Sequence, residues 1–125
     1  MPARILIAED EPSIVLSLEF LLQGAGYEVA VARDGDEALR MATRTTPDLI
    51  VLDIMLPLLD GFEVCRRIRA NPAFDNTRIL MLTARGRESG LEKSLMLGAD
   101  DYMTKPFSTR ELTKRVGELL KPAAT

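Results

Sequence analysis

Short apolar runs alternate along the chain with longer stretches in which apolar residues recur at helical spacing. The runs predict five strands: Arg4–Ala8, Tyr27–Ala32, Asp48–Asp53, Arg78–Leu82 and a weaker Asp101–Met103. The stretches between and after them predict five helices: Pro12–Gln23, Asp36–Arg44, Phe62–Ala70, Glu88–Leu97 and Thr109–Leu120. The chain is therefore predicted to repeat a strand followed by a helix five times.

Helix starts carry a local signature of their own. A side-chain oxygen stands three residues before a glutamate at three of them, Asp34, Asp60 and Ser108. At this spacing both side chains can accept hydrogen bonds from amide groups that the first helical turn leaves unpaired. The three positions are therefore predicted N-caps.

The apolar pattern also indicates the fold class. Strands one, three and four are almost continuously apolar, which is typical of strands covered on both faces. We therefore predict an α/β fold, a doubly wound parallel sheet with helices on each side, and favour the strand order 2-1-3-4-5. In the first helix, Ile14, Leu18 and Leu21 are expected to face the core. A chain of 125 residues suits one domain, residues 1–125.

Composition excludes several functions. The chain has no histidine, which rules out a Ser-His-Asp or Cys-His centre, a His-ligated metal and a phosphohistidine carrier. The single Cys65 cannot form an internal disulfide and no secretory signal opens the chain, so a cytoplasmic location is expected. The longest apolar stretch, Leu49–Leu59, is interrupted by Asp53 and is too short to enter a membrane. A net charge of −3 argues against direct nucleic-acid binding.

Polar residues collect where the predicted strands end. Glu9 and Asp10 follow strand one, and Asp53 ends strand three. Thr83 follows strand four, and Lys105 follows strand five. Ligands of open α/β sheets bind beyond the carboxyl ends of the strands, where the winding direction reverses. In the favoured strand order, Asp10 and Asp53 are expected to be neighbours at that point.

Three carboxylates at one edge need a compensating cation. Like charges at about 4 Å repel by about 1 kcal/mol in water and by about 4 kcal/mol at an effective dielectric constant of 20. Oxygen donors without sulfur or imidazole favour a hard divalent ion, Mg²⁺ or Mn²⁺. A metal held by few carboxylates leaves positions for phosphate oxygens, and aspartate is an established nucleophile towards phosphoryl groups. The residues therefore indicate a site that receives a phosphoryl group.

Each of these residues also has a simpler interpretation. Asp10 precedes Glu11 and Pro12 and could cap a helix. Thr83 fits an ordinary strand end, and Lys105 fits a solvated loop. Asp53 resists such an interpretation, because an ionisable group that ends a fully apolar run is costly.

Four groups of residues together resemble a known family. They are Glu9-Asp10, Asp53 with Leu56-Pro57 and Asp60-Gly61, Thr83-Ala84, and Lys105-Pro106-Phe107. In this set the chain resembles, over its whole length, the receiver domain of two-component response regulators, which has a flavodoxin-like fold.

The resemblance implies a role for each site residue. Asp53 would accept a phosphoryl group from a sensor histidine kinase or a phosphotransfer protein. Mg²⁺, or Mn²⁺, would be bound by Asp10, Asp53 and the backbone carbonyl of Met55, with Glu9 assisting. Lys105 would contact the phosphoryl group, and the peptide bond after it would be cis. Such a chain is a signalling phosphoacceptor with its own autophosphorylation and autodephosphorylation chemistry rather than an enzyme.

A switch can be formulated on this sequence. Phosphorylation adds about −1.5 to −2 charges at Asp53. Our hypothesis is that the Thr83 hydroxyl then bonds a phosphoryl oxygen and that Tyr102 rotates into the space it leaves. Moving an equilibrium from 1:99 to 99:1 takes about 5.5 kcal/mol, whereas one charge-assisted hydrogen bond contributes about 1.5–3 kcal/mol. Lys105 and the metal must therefore share in the change.

A predicted output surface combines the fourth predicted helix, the fifth strand and the fifth predicted helix. Its charged residues resemble the set that pairs across homodimers in the OmpR/PhoB subfamily: Lys93, Asp100, Asp101, Glu111 and Arg115. Met96 departs from that set, because the subfamily usually has an acidic residue there. The alternative interpretation is an ordinary solvated surface, because exposed ion pairs contribute only about 0–1 kcal/mol each.

The residue at position 55 helps to distinguish between candidate functions. A phosphohydrolase of the haloacid-dehalogenase type would need a second aspartate there, whereas this chain has Met55. Met55 is also apolar where many receivers are polar, and it is expected to shield the phosphoryl group from water. A flavodoxin-like cofactor binder is disfavoured because Glu9, Asp10 and Glu11 would repel a phosphate. A receiver-like module regulated without phosphate stays open, as does the consequence of the apolar Leu58-Leu59 turn.

Overall fold

Strands and helices alternate along the described part of the chain. The structure, a computed structural model, describes residues 2–84 and 97–121. The strands are β1 (Arg4–Ala8), β2 (Glu28–Ala32), β3 (Leu49–Asp53), β4 (Arg78–Thr83) and β5 (Asp101–Thr104). The helices are α1 (Pro12–Gly24), α2 (Gly35–Thr45), α3 (Gly61–Ala70) and α4 (Thr109–Leu119), with a short 3-10 helix at Pro72–Phe74. Here α4 is the fifth predicted helix; the fourth, except for Leu97, lies outside the described residues.

The five strands form one parallel sheet in the order β2-β1-β3-β4-β5. The predicted fold class and strand order are confirmed. β4 and β5 each continue one residue further than predicted, so that Thr83 pairs with Thr104. The ends of β1 and β3 lie side by side, with Ala8 opposite Leu52.

Both faces of the sheet are buried, as the continuous apolar runs predicted. Leu6 and Ile50 face one core, which also includes residues of α2 and α3. Ile5 and Leu49 face a second core with residues of α1 and α4. Alternate residues of one strand therefore face opposite cores, and every residue of β3 and every residue of β1 after Arg4 is buried.

The contact stripe of α1 differs from the prediction. Val15, Leu18 and Leu22 are buried, whereas Ile14 and Leu21 are only partly buried. Both sets recur at helical spacing, so periodicity alone could not choose between them. Contact with the sheet keeps Leu18 buried and selects Val15 and Leu22, each one residue further along the helix than Ile14 and Leu21.

The predicted N-caps form as expected. The side chains of Asp34, Asp60 and Ser108 each accept a hydrogen bond from the backbone N–H three residues ahead. Glu37 also accepts from the N–H of Arg33 at 3.0 Å. Glu63 and Glu111 pair with arginines one turn further on instead, because a guanidinium binds a carboxylate more strongly than one amide does. The hydrogen bonds from its two arginines lower the pKa of Glu63 to about 2.

Among the described residues, no helix is both long and apolar enough to cross a membrane. The cytoplasmic location stays a prediction.

Candidate functional site

Three carboxylates meet at the carboxyl ends of β1 and β3. One oxygen from each of Glu9, Asp10 and Asp53 lies within 4.8 Å of the other two. Glu9 and Asp53 are buried, whereas Asp10 is exposed. Because β1 and β3 are adjacent strands, their ends place these side chains together. The prediction that Asp10 and Asp53 are neighbours is confirmed.

Lys105 supplies a positive charge beside this cluster. Its Nζ atom lies 2.7 Å from Glu9 Oε1 and 3.3 Å from Asp53 Oδ2. Its backbone N–H donates to the carbonyl of Thr83 at 2.7 Å, which ties the loop after β5 to the end of β4. The Lys105–Pro106 peptide bond is cis, as expected. The interpretation of Lys105 as a solvated loop residue is wrong, because its side chain is about four-fifths covered.

Glu9 is held in place by its own backbone neighbours. Its Oε2 atom accepts hydrogen bonds from the N–H groups of Asp10 and Glu11 at 3.1 and 3.2 Å. Burial raises the pKa of Glu9, the hydrogen bond from Lys105 opposes that rise, and the charge of Asp53 adds to it. Glu9 therefore contacts the ammonium of Lys105 from a fixed position on the buried side of the site.

The ammonium of Lys105 stays protonated in this surrounding. Burial by itself lowers the pKa of Lys105, but the hydrogen bond to Glu9 and the charges of Asp53 and Glu9 outweigh burial, so the pKa is raised. Three carboxylates consequently face one ammonium. Negative charge is therefore in excess, and Asp10 is the only one of the three carboxylates that is exposed to solvent.

The donor set fits a hard divalent cation. Octahedral Mg²⁺ holds its oxygens at about 2.0–2.1 Å, so two of them are at most about 4.2 Å apart. Of three such oxygens at least two pairs are adjacent around the ion, about 3 Å apart, so a cluster whose oxygens lie within 4.8 Å has to contract by up to about 1.8 Å to hold the ion. All three donors are carboxylate oxygens, which Mg²⁺ and Mn²⁺ prefer.

The helix-capping interpretation of Asp10 is not supported. The N-cap of α1 is Glu11, its side chain makes no capping hydrogen bond, and Pro12 begins the helix. Proline suits this first helical position, because its missing N–H is one of the groups that a helix start leaves unpaired. Asp10 is thus left to face the cluster.

The loop from Ile54 to Asp60 connects Asp53 to α3. The backbone N–H of Met55 lies 3.3 Å from Asp53 Oδ1, and the Met55 side chain is half exposed. A Cβ at Gly61 would lie 2.7 Å from the Cα of Ile54 and would also overlap the Asp53 carbonyl. Position 61 therefore needs glycine. The Asp60-Gly61 pair carried this signal, which we interpreted only as part of a cap and a motif.

The two predicted switch residues lie near this edge. Thr83 is buried at the end of β4, one residue beyond Leu82, which pairs with Asp53. Tyr102 lies on β5, opposite Met81, and is partly buried against the core that contains α2 and α3. These positions fit the proposed coupling and leave the motion itself a hypothesis.

The predicted dimer-face residues divide into two groups. Arg115 bonds Asp101 at 3.2 Å and Glu111 at 2.9 Å within the chain. Asp100 instead pairs with Arg69 at 2.9 Å, on the side of α3. Lys93 and Met96 lie outside the described residues. The dimer itself stays a prediction.

Comparison with known sequences gives a consistent result. The response regulator receiver domain family matches residues 5–117. The transcriptional regulatory protein PhoP of Bacillus subtilis, which acts in alkaline phosphatase synthesis, is 51% identical over 121 residues, 97% of this chain and 50% of its own length. The phosphate regulon regulator PhoB of Rhizobium meliloti is 45% identical over 123 residues, 98% of this chain and 54% of its own length. The chain spans about half the length of these curated relatives.

Solved structures agree with this match. A response regulator from Chloroflexus aurantiacus superposes with a TM-score of 0.92 at 41% identity, covering 96% of this chain and 98% of that one. The receiver domain of the sensor histidine kinase PA1611 from Pseudomonas aeruginosa gives 0.87 at 35% identity, with the same coverage of both chains. That neighbour has a magnesium ion coordinated in its active site cleft.

Proposed function

The chain belongs to the response regulator receiver domain family, and from that premise we propose that Asp53 accepts a phosphoryl group in a Mg²⁺-dependent reaction. The donor is a sensor histidine kinase or a phosphotransfer protein, and residues 1–125 act as one receiver domain in the cytoplasm. One observation carries the proposal: Glu9, Asp10 and Asp53 form a carboxylate cluster beside Lys105.

Asp53 has the properties of the nucleophile. It is 3% exposed, and its two oxygens contact different groups, the N–H of Met55 and the ammonium of Lys105. In the transfer, a bond forms between an Asp53 oxygen and phosphorus while the bond between phosphorus and the donor nitrogen breaks. Such a transfer depends mostly on position and charge stabilisation, and the buried, bonded carboxylate supplies the position.

In this proposal, Mg²⁺ and Lys105 both compensate the negative charge of the carboxylates and of the phosphoryl group. Asp10, Asp53 and the backbone carbonyl of Met55 would hold Mg²⁺, with Glu9 assisting. When bound, Mg²⁺ neutralises charge on the acidic residues and on the incoming phosphoryl oxygens. Lys105 already contacts Asp53 at 3.3 Å and is tied to the end of β4, so it is in place to stabilise a phosphoryl group on the same carboxylate.

Phosphorylation is proposed to change the surface formed by the fourth predicted helix, β5 and α4. The Thr83 hydroxyl would bond a phosphoryl oxygen, and Tyr102 would rotate. This surface would control a partner or a homodimer through Asp101, Glu111 and Arg115, with the contributions of Lys93 and Asp100 also expected. Thr83→Ala should phosphorylate normally but lose the change in partner affinity. An unchanged response in Thr83→Ala would exclude the hydroxyl as the coupling group.

A mass measurement tests the phosphoacceptor proposal. The purified chain is incubated with Mg²⁺ and a small phosphodonor such as acetyl phosphate, and its intact mass is recorded. We expect a gain of one phosphoryl group in the wild type, and none in Asp53→Asn or when a chelator removes Mg²⁺. Asp36→Asn is the matched control, because Asp36 is exposed on α2 and pairs with Arg40. Equal phosphorylation of Asp53→Asn would refute the proposal.

A further inference from the structure

A short segment outside the ligand set touches both sides of the candidate metal site. The carbonyl of Ala32, at the end of β2, accepts the backbone N–H of Glu9 at 3.0 Å. Three residues later, the N–H of Gly35 donates to the carbonyl of Pro57 at 3.1 Å. Glu9 belongs to the side of the site that follows β1, and Pro57 belongs to the loop that follows Asp53. The segment Ala32–Gly35, hereafter the bridge, therefore links the two sides through the backbone.

The contact at Gly35 leaves no room for a side chain. A Cβ there would lie 2.6 Å from the Cβ of Leu59 and would overlap the Leu59 carbonyl. Backbone atoms cannot rotate away as a side chain can, so any larger residue must displace the loop or the helix start. Gly35 is buried at the first position of α2, and α2 packs against β1 and β2. The loop is therefore the part that would move.

The backbone of the loop from Ile54 to Asp60 is constrained around Leu58. The Pro57 carbonyl accepts a second hydrogen bond, from the N–H of Leu59 at 2.8 Å. Leu58, between them, has a φ of 70° and is 79% exposed. A left-handed conformation costs a residue with a Cβ about 1–2 kcal/mol, and the exposed Leu58 side chain has little packing to offset that cost. Leu58 lies between the two residues that contact the bridge, Pro57 and Leu59, so these contacts are available to offset that cost.

We propose that Gly35 is a positioning residue for the metal site, acting through the bridge on the loop that carries Met55. The β1–β3 pairing brings Asp53 to Glu9 and Asp10, whereas the bridge fixes the loop that carries Met55 relative to Glu9. Because Mg²⁺ tolerates little deviation from octahedral geometry, a displaced loop weakens metal binding before it unfolds the chain. This inference rests on the proposed function, since it assumes that the site binds Mg²⁺.

The test is a comparison of three variants by calorimetric titration with Mg²⁺ and by urea unfolding. Gly35→Ala should weaken Mg²⁺ binding at least about tenfold, equivalent to about 1.4 kcal/mol. Its phosphorylation by acetyl phosphate should be slow at low Mg²⁺ and recover at saturating Mg²⁺. Gly117→Ala is the matched control, because a Cβ at Gly117 meets no atom within 4 Å. Thr43→Gly weakens α2 from its exposed side, and both controls should bind Mg²⁺ as the wild type does.

The outcomes separate the two proposals. Folded Gly35→Ala with wild-type Mg²⁺ affinity, or equal weakening in Thr43→Gly, would refute the positioning role and leave the proposed function intact. A wild type that binds no Mg²⁺ would overturn both. Should Gly35→Ala not fold, the wild type is titrated with Mg²⁺ by NMR. The amide signals of Gly35 and Leu59 should then shift with the same midpoint as that of Asp10, and silent signals would refute the role.

Discussion

Two clusters of charged residues lie at opposite ends of the strands of the same sheet. Their carboxylates are compensated by positive charges to different degrees. At the carboxyl ends of the strands, Glu9, Asp10 and Asp53 have the one ammonium of Lys105 beside them. At the amino ends, Asp100 pairs with Arg69 at 2.9 Å and lies 3.7 Å from Arg78. Negative charge is in excess at the first end, whereas the one carboxylate at the second end has two guanidiniums beside it.

The charged groups at the amino ends of the strands also have many hydrogen-bond partners. The guanidinium of Arg69 also donates to the carbonyls of Gly98, Phe74 and Thr77, at 2.8, 3.0 and 2.5 Å. Asp100 accepts from the N–H of Ile79 at 2.7 Å as well. A partly buried charge with this many partners contributes to stability, and removing one partner leaves the others uncompensated. A cluster with too few positive charges instead attracts a cation, so we expect stability and the proposed metal binding to depend on separate ends of the fold.

Arg69→Met should have the largest effect. It removes four hydrogen bonds and leaves Asp100 with less compensation, and breaking a buried pair costs about 3–5 kcal/mol. Because both side chains are between a fifth and a quarter exposed, we expect the free energy of unfolding to fall by about 2–4 kcal/mol. Urea denaturation measures it. Arg67→Met, on the same helix with an exposed pair to Glu63, should cost less than about 1 kcal/mol; similar losses in both variants would remove the contrast.

Removing a charge at the other end should act in the opposite direction. Asp10→Asn relieves repulsion within the acidic cluster, and because Asp10 is exposed the metal-free chain should gain up to about 1 kcal/mol. The stabilisation that Mg²⁺ gives the wild type should disappear. Thermal unfolding with and without Mg²⁺ measures both effects, with the exposed Asp75→Asn as control. A less stable Asp10→Asn, or one that Mg²⁺ still stabilises, would contradict our account of the cluster.

The apolar side chain beside Asp53 should affect the lifetime of the phosphorylated state. Met55 is half exposed two residues after Asp53, the proposed phosphoacceptor, and we expect it to hinder the attacking water. Met55→Asn should therefore lose phosphate about three to ten times faster, a difference of about 0.7–1.4 kcal/mol in activation free energy. The decay of the phosphorylated mass measures the rate. Leu58→Asn, in the same loop, should decay as the wild type does; faster hydrolysis in wild type than in Met55→Asn would refute shielding.

The smallest effect at neutral pH concerns Cys65, which is buried on α3. Burial raises the pKa of the Cys65 thiol to about 11, while Arg69 lowers it and Asp100 raises it by smaller amounts. The unfolded chain releases this proton first, so the contribution to stability is full below about pH 9 and is lost as the pH rises towards 11.

Two measurements check this prediction. Iodoacetamide at pH 8 should not modify native Cys65, although it should modify the unfolded chain. Urea unfolding between pH 8 and pH 11 should lose more stability in the wild type than in Cys65→Ala. Rapid modification of the native thiol, or parallel pH profiles, would show that burial does not control it.

Much of the site could be predicted because its residues are adjacent to strands that the sequence reveals. Asp53 ends an apolar run and Glu9 and Asp10 follow another, so the strand order sufficed to predict that they meet. The partners of Asp100 could not be predicted in this way. Asp100 resembles a dimer-face residue in sequence, whereas Arg69, its partner, is 31 residues away on another element. The proposed role of Gly35 could not be predicted either, because Gly35 follows the predicted N-cap Asp34 and fits an ordinary helix start.

By itself, the sequence determined the alternation of strands and helices, the three N-caps and the residues at the strand ends, because each of these depends on neighbours a few positions apart. Only the tertiary structure decided which stripe of α1 is buried, that Lys105 contacts Glu9 and Asp53, and that Ala32 and Gly35 link the two sides of the site. These features depend on distances between segments far apart in the chain. Periodicity carries no information about such distances, and packing sets them.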